Sequence, residues 1–128
     1  MITFEETGAI LDDIADELPK EFYNKLNGGI ILLPQEKLHP QSKDPHNLYV
    51  LGQYIRDPRG LGRYIAIYYG SFIKLYGYSP PDIQKNQLRK VLLHEFTHHL
   101  ESLAGERGLE IKDKNQMDEY RRMYGYEK

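Results

Sequence analysis

With 128 residues, the chain has room for one domain, 1–128, built on one modest core. A formal net charge of −2 gives no reason to expect nucleic acid or an anionic membrane as the main partner. The absence of cysteine excludes a disulfide framework, a Cys-type zinc site and a thiol nucleophile.

The start, Met1-Ile2-Thr3-Phe4-Glu5-Glu6, is acidic and lacks the apolar core of a signal peptide. No apolar run approaches the roughly 18 residues needed to span a bilayer. The expectation is a cytoplasmic protein with no pro-segment and no separate recognition domain.

Thr3 followed by Glu6 fits a capping box, and Phe4, Thr7, Leu11, Ile14, Ala15 and Leu18 continue with helical periodicity up to Pro19. A second short helix is predicted over 19–26, ended by Asn27-Gly28-Gly29. Ile30-Ile31-Leu32-Leu33 reads as a buried strand. Pro34, Pro40 and Pro45 mark 34–47 as a loop. Alternation predicts a strand over 48–55, the Asp57-Pro58-Arg59-Gly60 turn follows, and 63–69 is a third strand rich in Tyr and Ile. Tyr is a strand former that suits a half-buried sheet, so its density first implies packing. Residues 72–76 are expected to form one helical turn.

The next helix is predicted over 80–104. Ser79 serves as its N-cap, Pro80 as its first residue and Gly105 as its stop. Leu88, Leu92, Phe96, Leu100 and Leu103 make one apolar stripe. His94 and His98 lie about 200–240° away from Leu92 at 100° per residue, so they face elsewhere than the core. His99 lies about 20° from that stripe and is expected to pack or hydrogen-bond inside.

The segment His94-Glu95-Phe96-Thr97-His98 is therefore an H-E-x-x-H motif on a helix with a separate core face. Imidazoles four residues apart on a helix converge on one side and can hold Zn²⁺. Glu95, beside the first His, can take a proton from the water that such an ion activates. The pattern points to metal-assisted hydrolysis of a peptide bond.

Catalytic zinc usually has a third protein ligand. After His98 the candidates are Glu101, Glu106, Glu110, Asp113, Asp118 and Glu119. Glu101 lies about 10 Å along the helix axis from His94, which suits a supporting or surface role better than a third ligand. Asp118 sits on a final helix predicted over 115–123, a layout that resembles gluzincins. The compact metzincin pattern is absent, since Glu101 and Ala104 stand at its Gly and last-ligand positions.

The run Ile65-Ala66-Ile67-Tyr68-Tyr69-Gly70, together with Val91-Leu92-Leu93-His94-Glu95-Phe96-Thr97-His98-His99-Leu100, is similar to the small, minimal zincin-like bacterial metallopeptidases. The resemblance spans roughly the C-terminal half. It implies an α+β, minimal zincin-like fold: a mainly three-stranded sheet packed with N-terminal helices, an H-E-x-x-H helix and a C-terminal helix.

It also implies His94, His98 and Asp113 as zinc ligands, with Glu95 as general base. In that family a Gly-x-x-Asp stretch follows the double His. Here an insertion leaves Gly108 and Asp113 in those roles ahead of Met117. Asp113 with Gln116 equally reads as a capping box for the last helix, and Glu101, Glu106, Asp118 and Glu119 stay open as ligands.

The function so expected is a zinc-dependent metallopeptidase acting on a peptide or protein. Tyr120, Tyr124 or Arg121 are candidates for a second oxyanion donor. Strand 63–69 is the expected edge along which an extended substrate lies. The alternatives are a zinc-binding domain without peptidase activity, acting as a binding or regulatory module, and a metal-free interaction domain presenting the Tyr-rich strands. Oligomeric state is not legible.

Overall fold

The computed structural model describes residues 1–42 and 48–107, with side chains through Gly105. Helix α1 (Phe4–Glu17) opens on the expected capping box. The Thr3 hydroxyl accepts from the Glu6 N–H at 3.0 Å, and the Glu6 carboxylate accepts from the Thr3 N–H at 2.8 Å. Its inner face buries Thr7, Leu11 and Ile14. The predicted second helix is a single 3₁₀ turn, Lys20–Tyr23, that drives Phe22 into the core beside Phe96.

Three strands follow: β1 (Gly29–Leu33), β2 (Gly52–Asp57) and β3 (Gly62–Tyr68). Their order is β1-β3-β2. β1 runs parallel to β3 with Ile31 opposite Ala66, and β2 runs antiparallel to β3 with Gly52 opposite Ile67. β3 is thus the central strand. Both of its edges carry ladder hydrogen bonds, which overturns the expectation that 63–69 is the substrate-binding edge. Its burial follows from this position: Ile65, Ala66 and Ile67 are all 1% exposed or less, because a central strand is covered on both faces. Among the described residues, the edge beside the motif helix that pairs with no further strand belongs to β2.

The strand expected over 48–55 begins regular pairing only at Gly52. Its first residues fold back instead: Leu38 and Tyr49 form an isolated bridge, and Val50 N–H donates to the Lys37 carbonyl at 2.8 Å. Lys37 also reaches the Gln53 side-chain oxygen at 2.6 Å, tying this arm to β2.

Helix α2 (Tyr69–Tyr76) is two turns long, double the expected length, and buries Ser71 and Phe72. Helix α3 (Pro81–Arg107) starts one residue later than predicted, so Pro81 takes the first helical position and Pro80 precedes it. It runs through Gly105, the residue expected to stop it. Among the described residues, no helix is long and apolar enough to cross a membrane. The expected last helix, 115–123, lies outside the described residues.

The predicted stripe of α3 is the heart of the core. Leu88, Leu92 and Phe96 are fully buried, with Leu93 beside them, against Ile14, Phe22, Ile65, Ile67 and Phe72. At about 2–5 kcal/mol per buried Leu truncated to Ala, this stripe fixes how α3 sits on the sheet. Glu17 clamps α1 to α3 through Arg89 at 2.7 Å and Lys85 at 3.4 Å. Glu17 is a third exposed, so this clamp adds at most about 1 kcal/mol.

Candidate metal centre

Because the apolar stripe of α3 is committed to the core, His94 and His98 emerge on its flank beside the open edge of β2. Their Nε2 atoms converge to 3.1 Å, with the two rings nearly perpendicular at 89°. Two ligands of a tetrahedral zinc ion, each at about 2.0–2.1 Å, stand roughly 3.3 Å from one another. The spacing fits, and so does the donor chemistry: two imidazole nitrogens aimed at one point suit a shared cation.

The Glu95 side chain lies between helix and strand and is 6% exposed. Burial pushes its carboxyl up to about 7, only partly offset by the hydrogen bond that it accepts from the Tyr54 N–H. A carboxyl poised near neutrality is matched to giving and taking protons.

Gly52 makes this approach possible. A Cβ there would stand 2.8 Å from Val91 Cγ1 and 3.3 Å from Glu95 Cγ. Any side chain would lift β2 off α3 and carry the Tyr54 N–H away from Glu95. Sequence reasoning passed over both Gly52 and Tyr54. The available signal was a glycine inside a strand pattern, which often marks close backbone approach.

Together Gly52, Tyr54, Arg56, His94, Glu95 and His98 line most of an open cleft of about 690 Å³. Glu101 also borders it, with its carboxylate 3.9 Å from His98 Nδ1. That is the ring nitrogen opposite the converging Nε2, so Glu101 can orient the imidazole from behind.

His99 is fully buried, as its position on the stripe implied. Its Nε2 meets the Asn24 carbonyl at 2.8 Å and its Nδ1 meets the Tyr54 hydroxyl at 2.9 Å.

The structure brings together His94, Glu95 and His98. Asp113, the third ligand implied by the resemblance, lies outside the described residues, as do Glu110, Asp118, Glu119, Tyr120, Arg121, Tyr124 and the Glu106 side chain. Among the described residues, no three His, Cys, Asp or Glu side chains gather closely enough to hold a metal.

No protein-family model matches this chain, and no curated protein does. Among solved structures, it is similar to a conserved hypothetical protein from Thermo thermophilus. The two share 32% identity over 81% of this chain and 99% of the other, with a TM-score of 0.68.

Proposed function

We propose, for a chain that belongs to the same family as the conserved hypothetical protein of Thermo thermophilus, that it is a zinc-dependent peptidase with Glu95 as its general base. The observation that carries this reading is one geometry: His94 and His98 Nε2 atoms 3.1 Å apart, beside a buried carboxyl raised to about 7. His94 and His98 would hold the ion, and Asp113 is the carboxylate that the family resemblance implies as their companion. When bound, zinc supplies Lewis acidity to a water and to a substrate carbonyl.

The chain's own residues supply the rest. Glu95 takes a proton from the attacking water and hands it to the leaving amine, a task for which a carboxyl near neutrality is suited in both directions. The Tyr54 N–H fixes the carboxylate so that it need not reorganise during the transfer. The open edge of β2 offers main-chain donors and acceptors to an extended peptide, which would add a strand beside α3. Glu101 steadies His98 from the far side of its ring.

The test begins with elemental analysis of untagged protein, wild type and His98→Ala. About one zinc per wild-type chain, lost in the variant, supports the site. Wild type should then cleave members of a peptide library, while metal-loaded Glu95→Gln should not. Turnover retained in Glu95→Gln would sink the assignment. Zinc bound without cleavage of any peptide would favour the binding-module alternative, and no zinc at all would favour the interaction domain.

A further inference from the structure

Side chains of a strand alternate between the two faces of its sheet. On β2, Gly52 and Tyr54 face α3: a Cβ at Gly52 would stand 3.3 Å from Glu95 Cγ, and the Tyr54 hydroxyl meets His99. Gln53, between them, therefore leaves on the opposite face. Its cross-strand partner is Ala66, and Tyr68, two residues further along β3, lies on that same face. There the Gln53 side chain is held by two donors. Lys37 Nζ stands 2.6 Å from its Oε1, and the Tyr68 hydroxyl donates to the same oxygen at 3.0 Å. The ammonium in turn lies 5.4 Å from the centre of the Tyr68 ring.

These contacts fix which end of the carboxamide faces inward. An ammonium only donates, so the atom that it meets at 2.6 Å is the oxygen. Lys37 is itself held by its main chain: its N–H donates to Ser71 Oγ at 2.8 Å, and its carbonyl accepts from the Val50 N–H at 2.8 Å. The Gln53 oxygen is thus engaged twice. Its Nε2 keeps two N–H donors and, among the described residues, has no acceptor. Gln53 also borders the cleft of His94, Glu95 and His98.

Gly52 abuts Glu95 and the Tyr54 N–H bonds to it, so Gln53 is the β2 residue level with the catalytic carboxyl. A peptide laid along the edge of β2 that pairs with no further strand among the described residues places one residue opposite Gln53, with its side chain on the same face as Gln53. We infer that Gln53 is a specificity-determining residue: its amide donates to an acceptor oxygen on the side chain of the peptide residue opposite it. The inference rests on the reading of the cleft as a peptidase site. It adds a substrate class, peptides with Asp, Glu, Asn or Gln beside the bond presented to Glu95. An apolar side chain there takes water from the amide and returns no acceptor. Lys or Arg brings a donor to a donor.

The test is binding, measured by fluorescence anisotropy with zinc supplied, on the full chain carrying Glu95→Gln, so that nothing is cleaved. The probes are labelled, end-blocked, otherwise uncharged decapeptides in which one residue, moved along the sequence, is Glu, Glu γ-methyl ester, norleucine or Lys. The ester accepts without a charge, norleucine neither accepts nor donates, and Lys only donates. At one position Glu should bind about tenfold tighter than norleucine and the ester about threefold tighter, with Lys no tighter. Wild type should cleave beside that position. Gln53→Glu keeps an oxygen for Lys37 and Tyr68 but puts an acceptor where the N–H donors were, so it should reverse the order and favour Lys. The comparison of ester with norleucine needs no substitution at Gln53.

Equal binding of ester and norleucine peptides at every position overturns the inference. So does an ester preference that survives unchanged in folded Gln53→Glu. A Glu preference that the ester does not share, and that vanishes as salt rises, overturns it in favour of long-range attraction. Acceptor preference without cleavage by wild type keeps the role of Gln53 in binding and removes the peptidase reading; cleavage without the preference does the reverse.

Discussion

The hydroxyl of Tyr54, on β2, donates to Nδ1 of His99, on α3, across 2.9 Å. The donor and acceptor follow from the other side of the ring. His99 Nε2 faces the Asn24 carbonyl, which can only accept, so Nε2 carries the proton and Nδ1 is the free lone pair. Burial lowers the His99 pKa, which keeps this ring neutral with both nitrogens satisfied. The same residue, Tyr54, gives its backbone N–H to Glu95. One tyrosine thus ties β2 to α3 and sets the distance between the strand and the Glu95 carboxyl.

Tyr54→Phe should cost about 1 kcal/mol, one hydrogen bond with the ring retained. His99→Ala should cost about 3 kcal/mol, because it leaves a cavity and strips the Asn24 carbonyl of its donor. Urea unfolding of the metal-free chain measures both. Adding His99→Ala to Tyr54→Phe should cost less than the sum of the two single changes. Strict additivity would mean that the two side chains do not interact.

Gly52→Ala and Gly52→Val test the close approach of β2 to α3. The new atoms must enter space held by Val91 and Glu95, with contacts of 2.8 and 3.3 Å for the first carbon alone. Destabilisation of about 1–3 kcal/mol is expected, larger for Val, together with loss of any hydrolysis. A Gly52→Val protein as stable as wild type would show that the strand does not sit this close.

The sequence exposed most elements and little of their pairing. Capping at Thr3, the stripe from Leu88 to Leu103 and the opposed His pair depend on local periodicity, which is written in consecutive residues. Strand order depends on partners far apart in the chain. The expectation that 63–69 was an edge failed although a clue was present: Ile65-Ala66-Ile67 is an unbroken apolar run, the mark of a strand covered on both faces. The start of β2 was misplaced because residues 48–50 continue its alternation, yet bond back to Lys37 and His39. The convergence of His94 and His98 was legible because it is fixed by spacing on one helix. Gly52 and Tyr54 act through backbone contacts with another element, which no motif encodes.

Glu95 gives the metal-free protein a defined pH dependence. Its folded pKa, about 7, stands above its ordinary 4.5, so folding favours the protonated form. Its stabilising contribution is complete below pH 4.5 and is lost as pH rises through about 7. At about 1.4 kcal/mol per unit, the loss is on the order of 3 kcal/mol. Urea titrations at about pH 5 and about pH 8 should show this decline in wild type and a flatter profile in Glu95→Gln. A wild-type profile as flat as that of the variant would mean that Glu95 is not held in so dry a setting.

Zinc affinity separates a ligand from its support. His98→Ala removes one of two converging nitrogens and should abolish stoichiometric binding in a chelator competition. Glu101→Gln keeps both nitrogens and loses only a carboxylate 3.9 Å behind the His98 ring. Such outer partners are worth about 10–100-fold when well placed, and this one is nearly half exposed, so a loss of no more than about tenfold is expected. Zinc should also raise the melting temperature of wild type and Glu101→Gln, but not of His98→Ala, since an ion held only by the folded state stabilises it by about 2.7 kcal/mol at roughly a hundred times its dissociation constant. If Glu101→Gln lost zinc as completely as His98→Ala, Glu101 would itself be a ligand, and α3 would have to bend to bring it round.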